Sequence, residues 1–201
     1  MPNRLCFENR YPGMTEFRLN SQISSDSVIP FPHRNHFFMT YFQDCLILTF
    51  IYSLFLFPRF RAQGRKALLY KTGFFLYVGF VLYHTLFPVW NNLPDLFSHA
   101  YRPMNLDPFV DIIEGHSNAL QEVVLNILIT LPFGAAMNRI YGKGPGECIL
   151  LTLIFSLSIE LLQPLISTSR ISDITDVITN TLGGAAGWYL AELLTRQRFR
   201  R

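Results

Sequence analysis

Carboxylate and amide side chains at helical spacing are the residues of this sequence best suited to binding or proton transfer. Asp173, Asp176 and Asn180 are separated by three and four positions, which places them on one face of a helix. Glu160 and Gln163 are three residues apart and share a face in the same way. Paired carboxylates can act as general acid and base, and carboxylates beside amides can bind a polar ligand.

Two further helical positions and one loop residue extend this group. Glu122 and Asn126 are one turn apart, and Arg170 precedes Asp173 in a short loop. A carboxylate inside a membrane needs a partner, and Arg170 is the natural ion-pair partner for Glu160. We therefore predict one polar cluster, with Glu160 and Asp176 as the candidate acid/base residues. The cluster comprises Glu122, Asn126, Glu160, Gln163, Arg170, Asp173, Asp176 and Asn180.

Purely structural roles are the alternative for several of these residues. Asp173 is well placed as the N-cap of the last helix, with Asp176 as a partner resembling that of a capping box. Asn126 and Asn180 are suited to hydrogen bonds between helices. Gly183 and Gly187 continue the face of Asn180 and, with Gly184, form a pattern of small residues. We expect Gly183, Gly184 and Gly187 to let another helix approach closely.

The elements that position these residues follow from the distribution of charge. Only 15% of the 201 residues are charged and 50% are hydrophobic, whereas soluble domains contain about 25% charged residues. Three cysteines exclude a disulfide scaffold, and a net charge of +3 does not support nucleic-acid binding. Five apolar segments are each long enough to cross a bilayer, so we predict an all-α integral membrane bundle of about five transmembrane helices. The segments are 37–57, 72–90, 119–138, 148–166 and 177–195.

Lys and Arg residues indicate the orientation of these segments. Basic residues concentrate in the links 58–71 and 139–147 and at the C-terminus. The positive-inside rule therefore predicts an external N-terminus, a cytoplasmic C-terminus and a polar cluster on the outer side. Residues 196–201 are then a basic cytoplasmic tail, and 37–195 form the transmembrane domain.

The two remaining regions, 1–36 and 91–118, carry weaker signals. Residues 1–36 are polar, and we expect either a disordered external tail or untranslated sequence with Met39 as the start. The loop 91–118 contains His99 and His116 among acidic residues, but their spacing matches no established ligand pattern. We therefore predict no metal site and no cofactor, and we assign this loop no role.

Four ordered stretches resemble one family. The run SDITDVITNTLGG at 172–184 resembles the signature of the VanZ-like membrane proteins. NLDPF at 105–109 is similar to the motif of their external loop. Asn126 with LPFG at 131–134 resembles their third-span motif, and ELLQ at 160–163 resembles the Glu-x-x-Gln of the fourth span. The resemblance covers about residues 103–190.

The resemblance implies an integral protein of the cell membrane that lowers susceptibility to glycopeptides, especially the lipid-tailed teicoplanin type. It brings no mechanism. One hypothesis is a non-enzymatic protein whose outer-leaflet pocket binds the lipid tail of the antibiotic or a lipid-linked cell-wall precursor. A second is an intramembrane enzyme acting on such a precursor, with Glu160 or Asp176 as acid/base and Arg170 holding an anionic group. A small transporter is a third, and membrane lipids are partners in all of them.

Overall fold

A computed structural model describes residues 34–96, 98–167 and 170–198. Helices dominate these residues, and their only β pairing is a single bridge between Asn105 and Asp173. Five π-helical residues (Tyr52–Leu56) join the first two helices, and a 3-10 helix (Trp90–Asp95) follows the third. The predictions for residues 1–33 and 199–201 lie outside the described residues. The α-helices are α1 (Arg34–Ile51), α2 (Phe57–Ala62), α3 (Arg65–Thr85), α4 (Val110–Ile113), α5 (Ala119–Arg139), α6 (Pro145–Ile166) and α7 (Ile174–Arg198).

Three helical segments have the length and composition needed to cross a membrane, namely Tyr41–Ala62, Ala119–Arg139 and Pro145–Ile166. The helices α3 and α7 are 21 and 25 residues long and are not among these three segments. The chain is thus an all-α membrane protein, as predicted. The five-span topology and its orientation stay predictions.

The ends of α3 differ from the predicted segment 72–90. The helix begins at Arg65 and stops at Thr85, because Pro88 disfavours helical backbone at the residue before it. The backbone N–H groups of Val89 and Trp90 donate instead to the two carboxylate oxygens of Asp44, at 2.9 Å each. Asp44, which is buried, therefore ties α1 to the 3-10 helix. The helix α7 also runs past residue 195, so part of the predicted tail 196–201 is helical.

Small residues bring α5, α6 and α7 into close contact. A Cβ added at Gly187 would overlap backbone atoms of Leu131 in α5. One added at Gly184 would overlap the side chain of Thr152 in α6. Such approach is possible because the glycines present no side chain to the facing helix. The four glycines of this contact, Gly134, Gly183, Gly184 and Gly187, are called the glycine seam below.

Hydroxyl groups beside the glycine seam are satisfied within their own helices. Thr130, Thr152 and Thr179 are all buried. Each donates to the carbonyl four residues earlier, at 2.8 Å. The seam thus contains polar atoms without leaving these hydroxyls unpaired, and its geometry is set by shape.

Candidate functional site

Glu160 links the end of α6 to the start of α7. Pro164, four residues later, has no N–H and cannot donate the helical hydrogen bond to the Glu160 carbonyl. The fully buried hydroxyl of Ser172 donates to that carbonyl instead. The Glu160 carboxylate, only 3% exposed as a residue, accepts the backbone N–H of Asp173 at 3.1 Å.

Asp173 caps α7 and at the same time holds a distant loop. Its Oδ1 accepts the N–H of Thr175 at 2.6 Å, as an N-cap does. Its Oδ2 accepts the side-chain amide of Asn105 at 2.9 Å. The alternative of a capping box with Asp176 is wrong, because the Asp173 N–H donates to Glu160 from another helix.

The loop around Asn105 docks through its backbone. The Asn105 N–H donates to the Ser172 carbonyl at 2.9 Å, and the Ile174 N–H donates to the Asn105 carbonyl at 3.0 Å. Phe109 has a left-handed φ of 58°, and its N–H donates to the Thr175 hydroxyl at 2.8 Å. These contacts fix the loop on α7. The polar junction, as we call it below, consists of Asn105, Glu160, Ser172 and Asp173.

Asn105 is a site residue that the predicted cluster omits. Asn105 lies far from Asp173 along the chain, so helical spacing could not group the two residues. The only sequence signal was its place in the NLDPF stretch. The loop 91–118 therefore does have a role, because it closes one side of the polar junction.

The two asparagines of the cluster both bond across helices. The Asn126 amide donates to Asp176 Oδ1 at 2.6 Å, and the Asn180 amide donates to the Ser156 hydroxyl at 2.9 Å. Within the described residues, the buried Oδ1 of Asn180 has no hydrogen-bond partner. Asn126 thus orients Asp176, whereas Asn180 joins α7 to α6.

Asp173 and Asp176 open onto a cavity of about 270 Å³. Of the described residues that line it, four are carboxylates and none is Lys or Arg. Negative charges gathered in this way favour a cationic or hydrogen-bond-donating ligand. Apolar side chains form the rest of the wall. The acidic cavity, as it is called below, is lined by Asn105, Phe109, Asp111, Ile112, Ala119, Glu122, Val123, Ile171, Asp173, Thr175 and Asp176.

Gln163 and Arg170 line a second cavity, of about 230 Å³. The Gln163 amide donates to the carbonyl of Thr85 at 3.3 Å, which connects α6 to the end of α3. The expected ion pair between Arg170 and Glu160 is not formed. In the part of the chain that the structure describes, no carboxylate oxygen lies within 4.0 Å of the Arg170 guanidinium. The eight predicted residues therefore do not surround one space.

The two loop histidines have different environments. His99 Nε2 donates to the Pro164 carbonyl at 2.9 Å, so it supports the end of α6. His116 Nδ1 lies 2.9 Å from Asp111 Oδ1. Asp111, Glu114 and His116 offer ligand atoms within 4.8 Å of one another, which a metal ion could bridge. Glu114 and His116 are both exposed.

Comparisons with known proteins agree with the motifs. The family model described as VanZ/LLP1 matches residues 74–195, which is more than half of the chain. "Protein VanZ" of Enterococcus faecium is 32% identical over 113 residues, covering 56% of this chain and 66% of that protein. No solved structure matches the chain. The resemblance seen in the motifs is confirmed, and the chain belongs to the VanZ/LLP1 family.

Proposed function

We propose that this chain is a multi-pass protein of the cell membrane that lowers susceptibility to teicoplanin-type lipoglycopeptides. In this proposal it binds an amphiphile at the outer leaflet and does not convert it chemically. Family membership and the similarity to Protein VanZ support the resistance role. The amphiphile is either the lipid tail of the antibiotic with its adjoining polar group or a lipid-linked cell-wall precursor.

The binding proposal rests on the composition of the acidic cavity. Its walls combine carboxylates with the apolar side chains of Phe109, Ile112, Val123 and Ile171. An amphiphile offers a polar and an apolar part, and a pocket of this kind accommodates both. Strongly exposed apolar residues are sequence neighbours of the lining residues and supply further surface for an acyl chain. They are Leu106, Ile113 and Leu120.

The distribution of basic residues supports an outer position for this cavity. Asp173 lies at the start of α7, whereas the other end of that helix carries Arg196 and Arg198. The helix α5 likewise begins beside the cavity with Ala119 and ends at Arg139. Because the positive-inside rule assigns basic ends to the cytoplasm, this distribution supports the proposal that the acidic cavity lies on the opposite side of the membrane.

Expression in a sensitive Gram-positive host tests the proposal. The wild-type chain should raise the inhibitory concentration of teicoplanin more than that of vancomycin. Asp176→Asn, which removes a charge from the cavity, should reduce the effect. Asp107→Asn is the matched control, because Asp107 is exposed and does not line the cavity. An unchanged teicoplanin concentration, with the protein detected in the membrane, would refute the proposal.

One observation refines the enzymatic alternative. Asp176 lines the acidic cavity, whereas Glu160 lines neither cavity and accepts the Asp173 N–H. An acid/base role in a lipid-linked precursor reaction would therefore fall to Asp176. Glu160→Gln keeps the acceptor for that N–H and should retain the phenotype. A lipid-precursor pool that changes with the wild-type chain and returns to normal with Asp176→Asn would favour the enzyme.

A further inference from the structure

We propose that the cavity beside Arg170 binds the phosphate of an anionic phospholipid headgroup. This site is separate from the acidic cavity and does not depend on the function proposed above. Its volume is about 230 Å³, and α1, α3 and α6 all contribute to its wall. Its lining includes the polar side chains of Asn92, Gln163 and Arg170 and the apolar side chain of Ile166.

The charge of this cavity selects an anion. Arg170 is the one charged residue among the described residues that line it, and the amides of Asn92 and Gln163 line it as well. A guanidinium can hold a phosphate through two parallel hydrogen bonds, which a point charge cannot do. No carboxylate is among the described residues that line the cavity, so the ammonium of a zwitterionic headgroup has no ionic partner among them. An anionic headgroup is therefore preferred over a zwitterionic one.

The neighbouring carboxylates accept hydrogen bonds from other groups. Glu160 accepts the Asp173 N–H, and Asp44 accepts the N–H groups of Val89 and Trp90. Neither of these carboxylates lies within 4.0 Å of the Arg170 guanidinium. Arg170 consequently has its charge available for a ligand, and a cation in such a place calls for an anion.

The position of the cavity matches the depth of lipid phosphates. Thr85 ends α3 and Ile166 ends α6, and both residues line the cavity. Trp90 follows closely and is 50% exposed, as is typical of an aromatic residue at the membrane interface. Where spanning helices end, headgroup phosphates are the abundant anions. Leu86, Phe87 and Ile166 offer apolar wall beside the charge.

Native mass spectrometry of the full chain, released from detergent with a mixture of lipids, tests the proposal. We expect one molecule of phosphatidylglycerol to be retained about tenfold more strongly than phosphatidylcholine. Arg170→Ala should abolish this preference, and Arg170→Lys should weaken it because the fork geometry is lost. Arg102→Ala is the matched control, since Arg102 is exposed and lines neither cavity. Its preference should equal that of the wild type.

Three outcomes would overturn the assignment. Arg170→Ala could retain the preference, or Arg102→Ala could lose it equally, which would indicate general attraction to a basic surface. Inorganic phosphate at millimolar concentration could displace the lipid, which would indicate a site for soluble phosphate. If Arg170→Ala does not fold in a thermal unfolding test, Arg170→Gln replaces it as the neutral variant. The same criteria then apply to Arg170→Gln.

Discussion

The glycine seam and the polar junction hold the same helices together by opposite means. At the seam, α7 contacts α5 and α6 through backbone and small side chains, and the buried hydroxyls bond within their own helices. At the junction, α6, α7 and the loop at Asn105 are joined by hydrogen bonds that cross between elements. The first contact depends on the absence of side chains, and the second depends on particular polar atoms.

This difference predicts how each region fails. The glycine seam tolerates no added volume, because displacing the backbone atoms of the facing helix costs too much free energy. A junction tolerates volume changes better but leaves buried donors or acceptors unpaired when one partner is lost. Substitutions in the two regions therefore separate these two modes of failure.

Gly187→Ala should destabilise the protein most, by about 3 kcal/mol, because the new methyl group would overlap backbone atoms of Leu131. Gly73→Ala is the matched control in α3, where an added Cβ meets no atom within 4 Å. The control should be stabilised by up to about 1 kcal/mol through helix propensity. Thermal unfolding in detergent measures both. Equal stability of the two variants would contradict the account of the seam.

Ser172→Ala should cost about 1–3 kcal/mol, because it leaves the buried Glu160 carbonyl without a donor. Pro164→Ala restores an N–H four residues after Glu160, so the cost of Ser172→Ala should fall in that background. A double-mutant cycle of unfolding free energies measures this coupling.

Ser158→Ala provides the control for that cycle. Its hydroxyl donates to the Ile154 carbonyl at 2.7 Å in an exposed part of α6, where the helix supplies a second donor. Its effect should be small and independent of residue 164. Strict additivity of Ser172→Ala and Pro164→Ala would show that the proline and the hydroxyl are unrelated.

Asn105→Ala should have the smallest effect, about 1 kcal/mol, because the two backbone hydrogen bonds of the loop remain. Asn105→Asp should cost more, since it places a second carboxylate against Asp173. Amide hydrogen exchange at Ile174 reports on the loop specifically. Unchanged exchange in both variants would mean that the side chain does not hold the loop.

The glycine seam was the part of the molecule that could best be predicted from the sequence. Gly183 and Gly187 recur at helical spacing, and small residues at that spacing have one common use in membrane helices. The all-α membrane class was equally accessible, because charge is excluded from long apolar segments. Both inferences rest on regularity within a single helix, which the sequence shows directly.

The polar junction was harder to predict from the sequence, because its hydrogen bonds join residues far apart in the chain. Closeness along the chain grouped Arg170 with Asp173, yet the two line different cavities. It left out Asn105, which bonds to Asp173. The hydrogen bonds that Asp44 accepts from Val89 and Trp90, which set the chain beyond α3, also join residues far apart in the chain. Contacts between elements follow from the fold, and no spacing rule encodes them.

The hydrogen bond from Ser172 to the Glu160 carbonyl also has a consequence for how the sequence evolves. The hydroxyl takes the place of the N–H that Pro164 lacks, so we expect residues 164 and 172 to evolve together. A relative that replaces the proline regains the helical N–H and is released from the need for a hydroxyl at 172. Among descendants of a common ancestor, changes at 164 and 172 should therefore occur together more often than chance allows.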